Sequence, residues 1–142
     1  MINKISHLTP IELEEIVKIW FKANCEAHPF IPESYWNQNL DFVRAQLPKS
    51  ELYVYRENNQ IIGFMGMNDS YIAGIFITSS HRKQGIGQQF LNTAKQAHDT
   101  LSLSVYAKNQ IAVNFYKKQG FQLLNEQIDA TGELEFKLIW KK

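Results

Sequence analysis

Residues Ile75-Phe76-Ile77-Thr78-Ser79-Ser80-His81-Arg82-Lys83-Gln84-Gly85-Ile86-Gly87 carry an apolar run into a basic loop punctuated by glycine. The run 71–78 reads as a buried strand, and Phe90, Leu91, Ala94 and Ala97 recur behind Gly87 at helical spacing. A strand therefore feeds a loop that opens a helix. Glycine lets the backbone turn tightly and brings its amides close to a ligand. The helix start adds free N–H groups and a partial positive charge. Arg82, Lys83, Gln84, Gly85, Ile86 and Gly87 thus form a candidate site for a phosphate or pyrophosphate. No Gly-Lys-Ser/Thr ending is present, which excludes a Walker loop. Phe90 stands where a dinucleotide fingerprint needs a small residue for close helix–strand packing, which disfavours a nucleotide-phosphate binder.

Outward from this stretch the periods alternate. Towards the N-terminus, Thr9-Pro10-Ile11-Glu12 is a capping box, followed at helical spacing by Leu13, Ile16, Val17 and Trp20 through about Ala23. The Pro-bounded segment His28-Pro29-Phe30-Ile31-Pro32 is a loop. A second helix carries Trp36, Leu40, Val43 and Leu47 in one stripe and ends at Pro48. Strands are expected over 51–56 and 60–67, joined by a turn at Glu57-Asn58-Asn59. Beyond the loop, a strand over 101–106 precedes a helix over 109–119, capped by Asn109 and stopped by Gly120. Strands over 121–126 and 133–140 finish the chain. The order β-α-α-β-β-β-α-β-α-β-β predicts an α+β fold: one central mixed, mostly antiparallel sheet flanked by about four helices, with residues 1–142 forming a single domain.

The composition agrees with one soluble domain. The chain has 142 residues, 44% hydrophobic and 20% charged, enough to bury a core without staples. Fifteen Lys+Arg against fourteen Asp+Glu leave a net charge of +1, which argues against a nucleic-acid partner. The one cysteine, Cys25, excludes an intrachain disulfide and a cysteine-rich metal site. His7, His28, His81 and His98 are scattered, none at ligand spacing, so no metal is expected. No apolar run suits a signal peptide or a membrane span, and a cytoplasmic protein without a membrane partner is the expectation.

Arg82-Lys83-Gln84-Gly85-Ile86-Gly87 resembles the Gln/Arg-x-x-Gly-x-Gly/Ala signature of the GNAT superfamily of N-acetyltransferases. Further on, Asn109-Gln110-Ile111-Ala112-Val113-Asn114-Phe115-Tyr116-Lys117-Lys118-Gln119-Gly120-Phe121 is similar to that family's Asn-x-x-Ala-x-x-Phe-Tyr-x-x-x-Gly-Phe. The two motifs stand in the family's order with a helix and a strand between them. Trp20, the run from His28 to Ile31, and Tyr35-Trp36 resemble a group of small bacterial members that act on lysines of proteins.

The resemblance implies acetyl-coenzyme A as co-substrate, its pyrophosphate held by the amides from Arg82 to Gly87. It implies that Ile75, Phe76 and Ile77 pair with the pantetheine arm much like an added strand, one N–H polarising the thioester carbonyl. Gly74 in mid-strand fits a bulge or a close ligand approach. Tyr116 is the expected catalytic acid, since a phenol near 10 can protonate a thiolate of roughly 8.5. Asn109 is at once a helix cap and the counterpart of the family's cofactor-contacting asparagine.

On the acceptor side, His28, Phe30 and Tyr71 are the candidate substrate-binding residues. No carboxylate lies in 71–78; Glu26, His28 and Asp69 are the candidate bases, with a water chain preferred. Neutralising a free lysine at pH 7 costs about 4–5 kcal/mol, an α-amine only roughly 1 kcal/mol. A protein lysine and an N-terminal amine both stay open as acceptors. So do a small-molecule amine and a non-catalytic acetyl-CoA sensor, and a monomer or a homodimer. Direct transfer needs no acyl-enzyme, so Cys25 is read as a small buried residue.

Overall fold

Thr9, Pro10 and Glu12 start the first helix as their order requires. In the computed structural model, which describes residues 2–142, the Thr9 hydroxyl accepts from the Glu12 amide at 3.2 Å. The Glu12 carboxylate accepts from the Thr9 amide at 3.0 Å. This helix, α1 (Pro10–Ala27), runs one turn past its expected end and stops at His28, the residue before Pro29. The expected second helix is two, α2 (Glu33–Gln38) and α3 (Leu40–Gln46). Asn39 divides them: its backbone sits at φ −94°, ψ 0°, and its side-chain amide donates to the Tyr35 carbonyl at 2.7 Å. Pro48 then closes a 3-10 turn, Leu47–Lys49. With α4 (Ile86–Ala97) and α5 (Gln110–Lys118) the described residues hold five α-helices rather than about four.

The strands are β1 (Ile2–Ile5), β2 (Glu51–Glu57), β3 (Gln60–Asn68), β4 (Tyr71–Ile77), β5 (Thr100–Tyr106), β6 (Gln122–Ile128) and β7 (Leu134–Lys141). They form one sheet in the order β1-β2-β3-β4-β5-β7-β6. Every pairing is antiparallel except β4 with β5, so the sheet is mixed and mostly antiparallel as expected. The β2–β3 turn is tighter than expected. Glu57 pairs with Gln60, and Asn58 and Asn59 alone make the connection with φ of 52° and 65°. Asparagine tolerates that left-handed pair, and the turn twists with its strands.

β3 is buried on both faces, which explains its unbroken apolar run. On one side α1 and α3 cover Leu52, Val54, Ile61 and Phe64. On the other, α4 and α5 cover Met65, Met67, Ile72, Leu101, Leu103 and Leu138. Two bulges set these faces. Pairing skips Ile62 on β3 and Ala73 on β4. Ile61 and Phe64, three residues apart, therefore share one core, and Ile72 and Ile75 share the other.

β4 is the exception to the buried strand expected here. Only Tyr71↔Ser102 and Ile72↔Leu103 join it to β5; beyond Ile72 the two strands diverge and β4 becomes half-exposed. Gly74 follows the bulge, with a role that is steric. A Cβ there would lie 2.4 Å from the Phe76 ring, which is stacked on Phe64 with centroids 5.0 Å apart. Gly74→Ala must displace that ring pair, so a loss of about 1–3 kcal/mol in urea unfolding is expected; Gly66→Ala, where the same Cβ would keep 3.8 Å from its neighbours, serves as the milder control.

Candidate acetyl-transfer site

Strand β4 runs directly into the glycine loop. After a 3-10 turn at Ser79–His81, Lys83 adopts φ 64° and Gly85 φ 79°, and α4 begins at Ile86. These left-handed positions curl the backbone so that successive N–H groups face one side. From Lys83 to Gln88 no amide meets an acceptor within the described chain. A row of free donors at a helix start is suited to a pyrophosphate, so these residues fit the phosphate end of acetyl-CoA.

The side chains of the loop are more occupied than their sequence suggests. Arg82 Nε donates to the Ile77 carbonyl at 3.1 Å, and its guanidinium pairs with Glu26 of α1 at 3.0 Å. His81 Nδ1 lies 2.9 Å from the Thr78 hydroxyl, and its Nε2 lies 3.3 Å from Glu57. The anion-facing capacity of the loop therefore resides in its backbone and in Lys83, which makes no ion pair among the described residues.

Helix α5 reaches this region through packing. A Cβ on Gly87 would come within 3.2 Å of the Phe115 ring, so α5 lies against the start of α4 at that point. Tyr116 turns inward from the same helix, 9% exposed, between Phe115 and Phe121. Burial pushes its phenol well above the ordinary tyrosine value, so it is protonated at neutral pH. Of the pair, Tyr116 is the more buried and Phe115 only half-buried.

Asn109 caps α5: its Oδ1 accepts from the Ala112 amide at 3.3 Å. That bond orients the side chain so that Nδ2 donates to His28 Nε2, 3.3 Å away. His28 consequently carries its proton on Nδ1, which is buried and feels the Asn24 backbone carbonyl. The His28 ring is enclosed by Phe30, Trp36 and Tyr106, with centroids 5.7, 5.4 and 5.0 Å away. Burial lowers its pKa, so it is a neutral imidazole that ties the α1–α2 loop to α5. Phe30 belongs to this cluster, with Lys108 Nζ 5.4 Å above its ring. Tyr71 does not; it stands half-buried at the start of β4 and makes no aromatic contact with either residue.

Tyr106 was not anticipated from the sequence. It ends β5 and donates to Asp129 at 2.6 Å, anchoring the β6–β7 connection beside His28. Burial opposes ionisation of Asp129, but hydrogen bonds from Thr131, Tyr106 and Glu133 hold its carboxyl below the usual range. A signal did exist: Leu101, Leu103 and Val105 alternate inward, which sends Ser102, Ser104 and Tyr106 to the opposite face. Among the candidate bases, Glu26 is engaged by Arg82, and Asp69 sits exposed in the β3–β4 turn at φ 54°. Cys25 is free and half-buried, its thiol pushed up by burial and by Glu33 and Glu26.

Among the described residues no cluster of His, Cys, Asp and Glu could hold a metal, and no helix is long and apolar enough to cross a membrane. A strand that parts from its neighbour and ends in a row of free amides offers one ligand an unpaired edge and an end suited to an anion. Residues 48–123 match the acetyltransferase (GNAT) domain family, and the chain belongs to that family. It is an acetyl-CoA-dependent N-acetyltransferase. It is 34% identical over 116 residues to peptidyl-lysine N-acetyltransferase YiaC of Escherichia coli K12, covering 80% of each chain. Peptidyl-lysine N-acetyltransferase YjaB of the same strain is 32% identical over 86% of this chain and 84% of its own. The solution structure of apo YjaB superposes with a TM-score of 0.85, at 29% identity over 99% of this chain and 96% of that one.

The buried imidazole has a consequence for stability. In the unfolded chain His28 gains a proton near its ordinary 6.5, whereas the folded environment resists it. The folded state then binds fewer protons, so stability is full above pH 6.5 and falls below it, by at most ~1.4 kcal/mol per pH unit. This window lies above that of Glu12 and Asp129, whose ordinary values are 4.5 and 3.8. Urea unfolding at pH 7.5 and 5.5 is expected to show the loss in the parent chain and a smaller one in His28→Gln.

Proposed function

We propose that residues 1–142 form one cytoplasmic N-acetyltransferase domain that moves the acetyl group of acetyl-CoA to the side-chain amine of a lysine in a protein. The observation that carries this reading is the departure of β4 from β5 after Ile72, on a strand that ends in the free amides of the glycine loop. The lysine is supported by the two relatives named as peptidyl-lysine N-acetyltransferases.

In this reading the amides of the glycine loop hold the pyrophosphate, and Arg82 contributes its backbone while its side chain braces Glu26 and the end of β4. The unpaired edge of Ile75, Phe76 and Ile77 receives the pantetheine amides as a further strand would. A strand N–H polarises the thioester carbonyl. The amine, neutral after giving a proton to water, attacks the carbonyl carbon; the new C–N bond forms and the C–S bond breaks. The thiolate takes the Tyr116 proton, and the second proton shed by the acetylated nitrogen passes through water to restore the phenol.

Burial raises the Tyr116 pKa, which keeps the phenol protonated and available to donate while making it a weaker acid than a free phenol. Asn109 acts as a positioning residue, because its amide is engaged by Ala112 and His28 and sets where α5 begins. His28 supports that contact, while Phe30 and Tyr71 are the residues offered to the acceptor. Water remains the base, since Glu26 is paired and Asp69 lies at the turn.

Thiol release from acetyl-CoA with blocked lysine peptides tests the assignment. Tyr116→Phe is expected to lose about 10²-fold in kcat while KM for acetyl-CoA holds, and full activity in that variant removes the acid role. Gly85→Val forces a β-branched residue to φ 79°. It is expected to raise KM for acetyl-CoA roughly tenfold with a smaller change in kcat; an unchanged KM would place the pyrophosphate elsewhere.

A further inference from the structure

The face of β4 covered by α1 and α3 is not fully closed. A groove of about 330 Å³ opens there, lined on β4 by Ala73, Gly74 and Phe76, the residues just past the last pairing with β5. The stacked Phe64 and Phe76 rings lie along it, with Trp20 from α1 and Val43 from α3. Phe42 lines it too and is 62% exposed, a large apolar side chain that belongs to neither core. None of the lining residues is ionisable; the polar ones are Gln46, Ser50 and Asn68. A wider depression of about 720 Å³ lies between α1 and α3. Its walls mix Ile11, Phe21 and Leu40 with Glu14, Lys18 and Arg44, and no residue of β4 lines it.

Resting on the acetyl-transfer reading above, we propose that this groove binds a large apolar side chain flanking the acceptor lysine of a protein substrate. The position supports it, because Phe76, one of the three β4 residues proposed to face the thioester arm, lines the groove together with Ala73 and Gly74. The chemistry selects the occupant. A second ammonium group would shed its water here and find no carboxylate. A leucine or phenylalanine would cover Phe42 and Phe76 and gain by leaving water. The groove therefore ranks apolar-flanked lysines above polar-flanked ones, and disfavours polycationic amines of the polyamine or aminoglycoside kind.

The test uses the full chain, acetyl-CoA, and blocked peptides with a single lysine. Each position within two residues of that lysine carries Leu, Phe, Ser or Glu in turn, and spermidine is run beside the set. The expected result is at least a tenfold kcat/KM advantage for the best apolar-flanked peptide over its Ser and Glu counterparts, with spermidine slower still. Phe42→Ser is expected to bring that ratio below about threefold, and Gln46→Glu to reduce it while raising turnover of spermidine. Melting temperatures of both variants confirm that they fold.

Peptide acetylation with no preference for an apolar flank overturns the inference and leaves the lysine reading standing. A preference unmoved by either variant overturns it as well, because the selecting surface then lies elsewhere. Binding of acetyl-CoA without acetylation of any peptide or amine overturns the transfer reading, and this inference with it.

Discussion

Two residue pairs hold β4 to β5, and most of the site's architecture depends on the fact that there are no more. Parallel strands paired along their whole length would leave no unsatisfied edge in the middle of the sheet. Here the edges of β4 beyond Ile72 and of β5 beyond Leu103 are left without a strand partner, inside a sheet whose other inner strands, β2, β3 and β7, are bonded on both sides. Part of the debt is met locally, where Arg82 donates to the Ile77 carbonyl. The remainder makes β4 a template for an amide-bearing ligand.

Keeping that gap open requires rigid walls. The bulge at Ala73 lets Ile72 and Ile75 stay in one core while Phe76 stacks on Phe64 in the other. Dense packing on both faces means neither strand can swing in to close the gap without exposing core residues. Asn109 and His28 tie the α1–α2 loop to the start of α5, and Tyr106 and Asp129 tie the β6–β7 connection to the end of β5.

Local chemistry was the legible part. The capping box at Thr9, the Asn58-Asn59 turn, the cap at Asn109 and the glycine loop each act through neighbours a few residues away. The helix expected over Trp36 to Leu47 is broken for a reason that its apolar stripe could not register. Asn39 bonds back to Tyr35, and the stripe continues in two short helices. Tyr71 to Thr78 carries an apolar pattern that suits a strand buried on both faces, yet of β4 only Ile72 is buried, because β5 parts from it after that residue. Arg82, by sequence a phosphate-binding cation, is instead paired with Glu26, 56 residues away along the chain.

By itself the sequence determined most element types, the glycine loop and the family, because caps, turns, periodicity and motif spacing are short-range properties. It also determined that a phenol would stand on the helix after Asn109. Only the tertiary structure decided which face each residue serves, since the two bulges shift the alternation by one and pairing across strands sets the register. The same holds for the groove beside Gly74. Its walls come from α1, α3, β3 and β4, and its lack of charge is a property of which side chains meet, which no single segment encodes.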